Sequence, residues 1–261
     1  MTDRTEEDKK KLGICVPWDS PFVFTKFTES VMNLQPPDGY VVNAFWGHGW
    51  CPARRHADAC EQAIQWGADL LCILGADQVY PQQDMLQRLV DRWKQTGGII
   101  GALVPFRGFV QWNEGMRPFE PLAWRIEADN ELDDNGKLVI NEHRRPIRRE
   151  DGDFQRAHLI GTGVTLFSRE VLLSLKLPWF YERVDPESFH RVADQDSRFI
   201  SRLQIEAGVA LWVDTTIQVR HANVFLIDNT YSERFADWAD PATDSDRAIC
   251  RFRAELPTTG G

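Results

Sequence analysis

The chain has 261 residues, 43% of them hydrophobic, and a formal net charge of −9. It carries enough apolar matter for one large domain or two small ones. It is too acidic for a general nucleic-acid coat, whose affinity rests on net positive charge, although a local basic groove is compatible with that balance. No run reaches the roughly 18–20 uninterrupted apolar residues of a membrane span, so no membrane partner is expected.

Residues 1–11, charged with both signs and without an apolar core, are expected to be a disordered lead rather than a secretory signal, and residues 253–261 a disordered tail. The five cysteines (Cys15, Cys51, Cys60, Cys72, Cys250) are scattered and form no CxxC pair. That usage fits a reducing, cytoplasmic setting. Ten tryptophans suit core filling and loop anchoring as well as stacking platforms for sugars or bases.

"KLGICVP" (11–17) reads as a buried strand. Ser20 and Pro21 then suit the N-cap and first position of a helix carrying Phe24, Phe27, Val31 and Leu34 on one face and stopping at Pro36-Pro37. "YVVNAF" (40–45) is a second strand. "ARRHADACEQAIQWG" (53–67) places Ala53, Ala57, Cys60 and Ile64 on a helical stripe that Gly67 ends. "DLLCILG" (69–75) is a third strand, and "QQDMLQRLVDRWKQTGG" (82–98) an amphipathic helix with Met85, Leu89 and Trp93 in one row and Leu86 and Val90 beside it. "IIGALV" (99–104) is a fourth strand. Such alternation predicts right-handed βαβ crossovers and an α/β fold with a mostly parallel central sheet.

Past Pro105 the pattern changes. Residues 122–142 resemble a hairpin around Asn135-Gly136. "HLIGTGVTLFSREVLLSL" (158–175) reads as a strand into a short helix capped by Ser168. "DQDSRFISRLQIEAG" (194–208) is a helix with Phe199, Leu203 and Ala207 on one face, and "VALWVDTTIQVRH" (209–221) holds two more short strands. One domain over 12–252 is expected, with a nucleotide-binding half (12–105) and a mixed acceptor half (106–252) bearing the hairpin insertion.

Several chemistries lack their motif. The place where a dinucleotide fold needs GxGxxG reads "VPWDSPF", with no glycine. Gly161 and Gly163 form a GxG within a later strand, without the third glycine. No GK[ST] phosphate loop, GxSxG elbow or HExxH pair is present.

In an open α/β sheet, ligands sit beyond the carboxyl ends of the strands. Trp18-Asp19, Asp77 and the Arg54-Arg55 pair would fall there. Arginines at a helix N-terminus attract phosphate, and Asp77 can join an anionic ligand only through a divalent cation.

"CPARRHADACEQAIQWGADLLCILGADQVYPQQDML" (51–86) resembles a GT-A-fold, family-2-like glycosyltransferase: an Arg-led helix, an apolar strand, the DxD metal motif and a following proline. "GTGVTLFSREVL" (161–172), the acidic helix at 194–208 and "VDTTIQVRH" (213–221) are similar to later pieces of that family, in order over about residues 12–222. The resemblance implies a hexosyltransferase-like enzyme that takes a UDP- or GDP-linked sugar with Mn²⁺ or Mg²⁺. Asp77 and His221 would hold the metal, Asp196 (or Asp194) would be the catalytic base, and Pro17, Trp18, Asp19, Arg54, Gly161 and Gly163 would line the donor. The acceptor is a small molecule, a glycan or a hydroxymethylated base of modified viral DNA.

The sequence departs from that pattern where the first DxD carboxylate, which tends to meet the donor ribose, is Gly75. A non-catalytic nucleotide-sugar or carbohydrate-binding module and a nucleotidyltransferase therefore stand as alternatives. Each residue also has a plainer role: Asp77 as a strand-end acid, Asp196 as a first-turn carboxylate favoured by the helix dipole, His221 as a solvated or structural histidine, and Arg54 as a helix-surface residue. The four arginines of "EHRRPIRREDGD" (142–153) are matched by Glu142, Glu150, Asp151 and Asp153, which suits a salt-bridged loop as well as a phosphate site.

Overall fold

A computed structural model describes residues 9–18, 20, 22–106, 109–112, 115–118, 121–132, 138–181, 183–184, 191–193, 195–222 and 226–228. The first part of the chain runs β1 (Lys10–Val16), α1 (Thr25–Met32), β2 (Tyr40–Trp46), α2 (Pro52–Trp66), β3 (Leu70–Leu74), β4 (Gln78–Val79), α3 (Met85–Thr96) and β5 (Ile99–Ala102). Two hairpins follow, β6 (Phe109–Trp112) with β7 (Gly115–Pro118) and β8 (Ala123–Leu132) with β9 (Leu138–Pro146). The remainder is β10 (Phe154–Ala157), β11 (Leu159–Ile160), β12 (Val164–Ser168), α4 (Arg169–Leu173), β13 (Arg183–Val184), β14 (Arg191–Ala193), α5 (Gln195–Ile205), β15 (Leu211–Asp214), β16 (Arg220–Ala222) and β17 (Leu226–Asp228).

Seven strands form one sheet in the order β10-β15-β5-β12-β3-β1-β2. β2, β1, β3, β5 and β15 run one way, and β12 and β10 run the other. The fold is α/β with a large mixed sheet of mostly parallel strands. Strands from both halves of the chain meet in this sheet. β12, from the second half, enters reversed between β3 and β5, which the expected βαβ succession would have placed side by side.

The sheet is covered on both faces, and the pleat sorts its side chains accordingly. Leu71 and Ile73 of β3 join Cys15, Phe167 and the α5 residues Phe199 and Leu203 in one core. Leu70, Cys72 and Leu74 join Leu12, Ile14 and the α3 residues Leu86, Leu89 and Val90 in the other. Because both faces are dry, β3 reads as an unbroken apolar run, and every residue of β3 and of β12, Thr165 and Ser168 included, is buried.

α3 buries Met85, Leu86, Leu89 and Val90 as expected, with Trp93 only partly covered, and α2 ends on Gly67 in the left-handed conformation, φ 88°. Ser168 caps α4, its Oγ accepting from the Val171 amide. α1 differs from expectation. It starts at Thr25 behind an uncapped Phe24, while Ser20 Oγ accepts from the Phe22 amide and Trp18 Nε1 donates to the Phe22 carbonyl. Ser20 thus closes a turn instead of a helix, and Pro21 lies outside the described residues. Leu34 lies past the helix, which ends at Asn33.

α2 also turns differently. Its buried residues are His56, Ala59, Cys60 and Ala63, with Ala53, Ala57 and Ile64 only partly covered. The close approach of α2 to β1 explains the choice: a Cβ on Gly13 would lie 2.8 Å from the Ala63 Cβ. Small side chains hold that seam, and a histidine rides inside it.

The hairpin at 122–142 is β8–β9; its Asn135-Gly136 turn lies outside the described residues. Within the arginine-rich run Arg145 pairs with Glu127 and Asp151, the two carboxylates that Arg125 of β8 also meets, while Arg144 lies over the Trp124 ring. No helix among the described residues is long and apolar enough to cross a membrane.

Candidate active site

The cleft lies over the carboxyl ends of β1 and β3, as crevices in open α/β sheets do. Pro17 and Trp18 leave β1, the Gly75–Gln78 turn leaves β3, and Thr162 and Gly163 lead into the reversed β12. Pro52, Arg55 and His56 of α2, Gln195 and Asp196 of α5, and His221 complete a cavity of about 370 Å³.

Asp77 and His221 are brought together by backbone pairing. β16 runs antiparallel to β4, with His221 opposite Gln78, and the Ala222 amide donates to the Asp77 carbonyl at 2.7 Å. His221 Nε2 then lies 3.1 Å from Asp77 Oδ2, while Nδ1 lies 2.7 Å from the Pro105 carbonyl oxygen. A carbonyl only accepts, so Nδ1 carries hydrogen. In the neutral ring Nε2 is left with its lone pair facing a carboxylate. Two lone pairs facing each other repel unless a positive charge, a proton or a cation, lies between them. A backbone carbonyl that fixes the far nitrogen is also the usual support of a metal-binding histidine.

The turn that carries Asp77 is packed around one side chain. The Gly75 amide donates to the Gly163 carbonyl (2.9 Å), the Gln78 amide donates to the Gly75 carbonyl (3.2 Å), and the Tyr80 hydroxyl donates to the same carbonyl (2.9 Å). The buried Gln78 amide occupies the space between the two glycines. A Cβ on Gly75 would come within 2.6 Å of Gln78 Nε2, and one on Gly163 within 2.1 Å. Both positions are therefore held to glycine, including the one where the DxD pattern has its first carboxylate.

Opposite this turn stands a second pair. His56 Nδ1 is 2.8 Å from the Pro52 carbonyl oxygen, so it too carries hydrogen. His56 Nε2 faces Thr162 Oγ1 at 3.4 Å and Asp196 Oδ1 at 4.0 Å. Asp196 Oδ1 is buried and has no hydrogen-bond partner among the described residues. Burial pushes the His56 imidazole below its ordinary value, with the Asp196 carboxylate pulling the other way and the Pro52 carbonyl adding a little. Desolvation is the larger effect and 4.0 Å is too long for a hydrogen bond, so His56 stands neutral at physiological pH.

The structure brings Pro17, Trp18, Asp77, Gly163, Asp196 and His221 to one cleft. Arg54 is not among them. Its guanidinium is tied to Glu61 and Asp58, and it borders a neighbouring apolar groove of about 710 Å³ walled by Trp50, Trp179 and Tyr181. Arg55, one residue on, lines the cleft and donates from Nε to the Gly49 carbonyl. Gly161 lies beside the cleft, its amide donating to the Leu122 carbonyl. Gly161 and Gly163 do not lie within a strand; they make the break between β11 and β12. Asp19 and Asp194 lie outside the described residues.

His56, Gln78 and Thr162 were not singled out by sequence reasoning, and Arg55 was named only as half of the Arg54-Arg55 pair. The one available signal was position, since His56 lies one helical turn before Cys60 on the buried stripe. Among the described residues no group of three or more His, Cys, Asp or Glu side chains could hold a metal. Asp77 and His221 are the pair of such side chains that the described residues bring together in the cleft.

No family model matches the chain and no curated protein matches it. Among solved structures it is similar to the crystal structure of A197 from STIV, with 14% identity over 82% of this chain and 86% of that one and a TM-score of 0.48. A likeness of that degree assigns neither family nor activity.

Proposed function

We propose that the protein is a metal-dependent glycosyltransferase of the GT-A, family-2-like kind, moving a sugar from a nucleoside diphosphate to an acceptor hydroxyl. The observation that carries this reading is the Asp77–His221 pair, with the His221 ring oriented by the Pro105 carbonyl and its Nε2 turned to the carboxylate. An ordinary strand-end acid needs no such partner. Mn²⁺ or Mg²⁺ held there would offset the charge that develops on a departing diphosphate.

The other parts of the reaction have residues in the same cleft. Arg55 supplies positive charge for phosphate oxygens, and Pro17 and Trp18 form a wall for the base of a UDP or GDP donor. Asp196, across the cleft and without a cationic partner among the described contacts, is the general base for a hydroxyl whose own pKa lies far above 7. The acceptor is a small hydroxylic molecule or a glycan. A hydroxymethylated DNA base remains a third candidate, although Arg145 of the basic run is engaged with carboxylates. The missing carboxylate at Gly75 favours a second reading, a nucleotide-sugar-binding module without turnover.

Calorimetric titration with UDP, GDP and their hexose conjugates, with and without Mn²⁺, tests the first reading. Binding is expected to require the metal and to fall at least tenfold in Asp77→Ala and in His221→Ala, the usual cost of losing a metal ligand or its support. Equal binding without metal, or by Asp77→Ala, would defeat it. Metal-dependent binding with no release of nucleoside diphosphate to any acceptor would move the binding-module reading to first place.

A further inference from the structure

We propose that His56 is a positioning residue for the base, a role that rests on the glycosyltransferase reading above: its Nε2 receives the hydrogen that Asp196 takes from the acceptor. The geometry provides an acceptor where one is needed. His56 Nδ1 is committed as a donor to Pro52, which leaves Nε2 a lone pair directed to Thr162 and Asp196. Phe180 lies against the imidazole at 5.1 Å between ring centres and keeps it from turning. On the other side of the gap, Asp196 Oδ1 is buried without a hydrogen-bond partner among the described residues. Both are acceptors: at rest the Thr162 hydroxyl, 3.4 Å away, is the donor to Nε2, and a hydrogen on Asp196 adds the bond that Oδ1 lacks.

In the transfer, the acceptor hydroxyl gives its proton to the open side of the Asp196 carboxylate, and a turn of the carboxyl group carries that hydrogen to the buried oxygen position facing His56. The hydroxyl oxygen's lone pair forms the new bond to the anomeric carbon. The bond from that carbon to the diphosphate oxygen breaks, and its electron pair leaves with the nucleoside diphosphate. Asp196 finishes as a neutral carboxylic acid whose O–H needs an acceptor in a nearly dry corner. Nε2, 4.0 Å away at rest, comes into hydrogen-bond range, about 2.8 Å, with a side-chain adjustment of about 1.2 Å. A partner that binds only the protonated form makes the carboxylate a stronger base. An imidazolium would do the opposite, and burial of His56 disfavours it.

The test uses the full chain, Mn²⁺ and UDP- and GDP-hexoses, with water as the acceptor. Nucleoside diphosphate release gives kcat and the donor KM, and calorimetry gives donor affinity. His56→Leu keeps the bulk and removes the acceptor. Its kcat is expected to fall roughly tenfold or more, the low end of a proton-transfer contribution, with donor KM and affinity within about twofold of the parent. His56→Gln, which can present an amide oxygen near the Nε2 position, is expected to recover most of that loss.

Equal losses in the two variants, a loss confined to KM, or donor binding without any release by the unmodified protein would each overturn the assignment. Should His56→Leu fail to fold, ¹⁵N spectroscopy of the unmodified protein decides, because a His56 protonated at Nε2 leaves no acceptor and defeats the proposal. Absence of metal-dependent donor binding would defeat the glycosyltransferase reading itself. Intact binding with undiminished turnover in His56→Leu would defeat only the role of His56.

Discussion

Gly163→Ala offers the sharpest check on how the Asp77 turn is built. The backbone at Gly163 is not in the left-handed region, so a methyl group there costs nothing in φ and everything in contact. Its Cβ would stand 2.1 Å from Gln78 Nε2, against about 3.4 Å for an ordinary contact, an overlap of about 1.3 Å by the spacing at which carbon atoms pack. The glutamine cannot simply swing away, since it is buried and its amide also fills the space over Gly75. Overpacking of this kind costs about 1–3 kcal/mol.

In a Gln78→Ala background the obstructing amide is gone, and the same Gly163→Ala change should cost under about 0.5 kcal/mol. The two substitutions then show a coupling of about 1–2 kcal/mol, well above the roughly 0.5 kcal/mol scatter of independent sites. Urea unfolding of the four proteins followed by tryptophan fluorescence measures it. A Gly163→Ala cost that is the same in both backgrounds would refute the reasoning and place the constraint on Gly163 elsewhere.

Two further outcomes are expected from buried charge. His56 has a folded-state value below its unfolded one, about 6.5, because burial disfavours the imidazolium. Its stabilising effect is therefore fully present above about pH 6.5 and is lost as pH falls below that, by at most about 1.4 kcal/mol per pH unit, until the folded ring titrates. Urea midpoints at pH 7.5 and 5.5 should show this slope in the parent and a shallower one in His56→Gln, and parallel slopes would count against a buried neutral His56. Arg92 Nε donates to Asp214 Oδ2 at 2.8 Å, and Asp214 is 2% exposed. Arg92→Ala should cost about 3 kcal/mol by leaving that buried carboxylate with the amide and hydroxyl of Thr216 and no cation. A loss under about 1 kcal/mol in thermal or urea unfolding would mean that solvent reaches Asp214.

Much of the layout could be read from periodicity. The apolar runs of β1 and β3, the stripe of α3 and the Gly67 stop of α2 are local signals, and the structure has each of them. Strand direction is not a local signal, so nothing in the "VTLFS" run revealed that β12 enters reversed between β3 and β5. The difference between Arg54 and Arg55 was equally invisible. Neighbours on a helix point about 100° apart, so one faces the cleft and the other Glu61, and only the docking angle of α2 decides which. His56 was hidden for a related reason, since a polar residue on an amphipathic helix is counted as surface unless a partner for its ring is known.

Gly75 looked like a plain loss when set against the DxD pattern, one carboxylate fewer at a place that otherwise holds two. The packing gives it a cause. Gln78 lies between Gly75 and Gly163 with its amide in the volume that a Cβ at either would need. An aspartate at 75 would have to displace a buried side chain that Tyr80, its hydroxyl 3.3 Å from Gln78 Oε1, helps to hold. Position 75 and position 78 are thus one structural choice: a carboxylate at the first with something small at the second, or a glycine at the first with a buried amide at the second. This chain has the latter. An amide both donates and accepts, so the cleft keeps hydrogen-bonding capacity beside Asp77 while carrying one negative charge fewer. On the proposed reading, that exchange would lower the repulsion between the cleft and an incoming diphosphate.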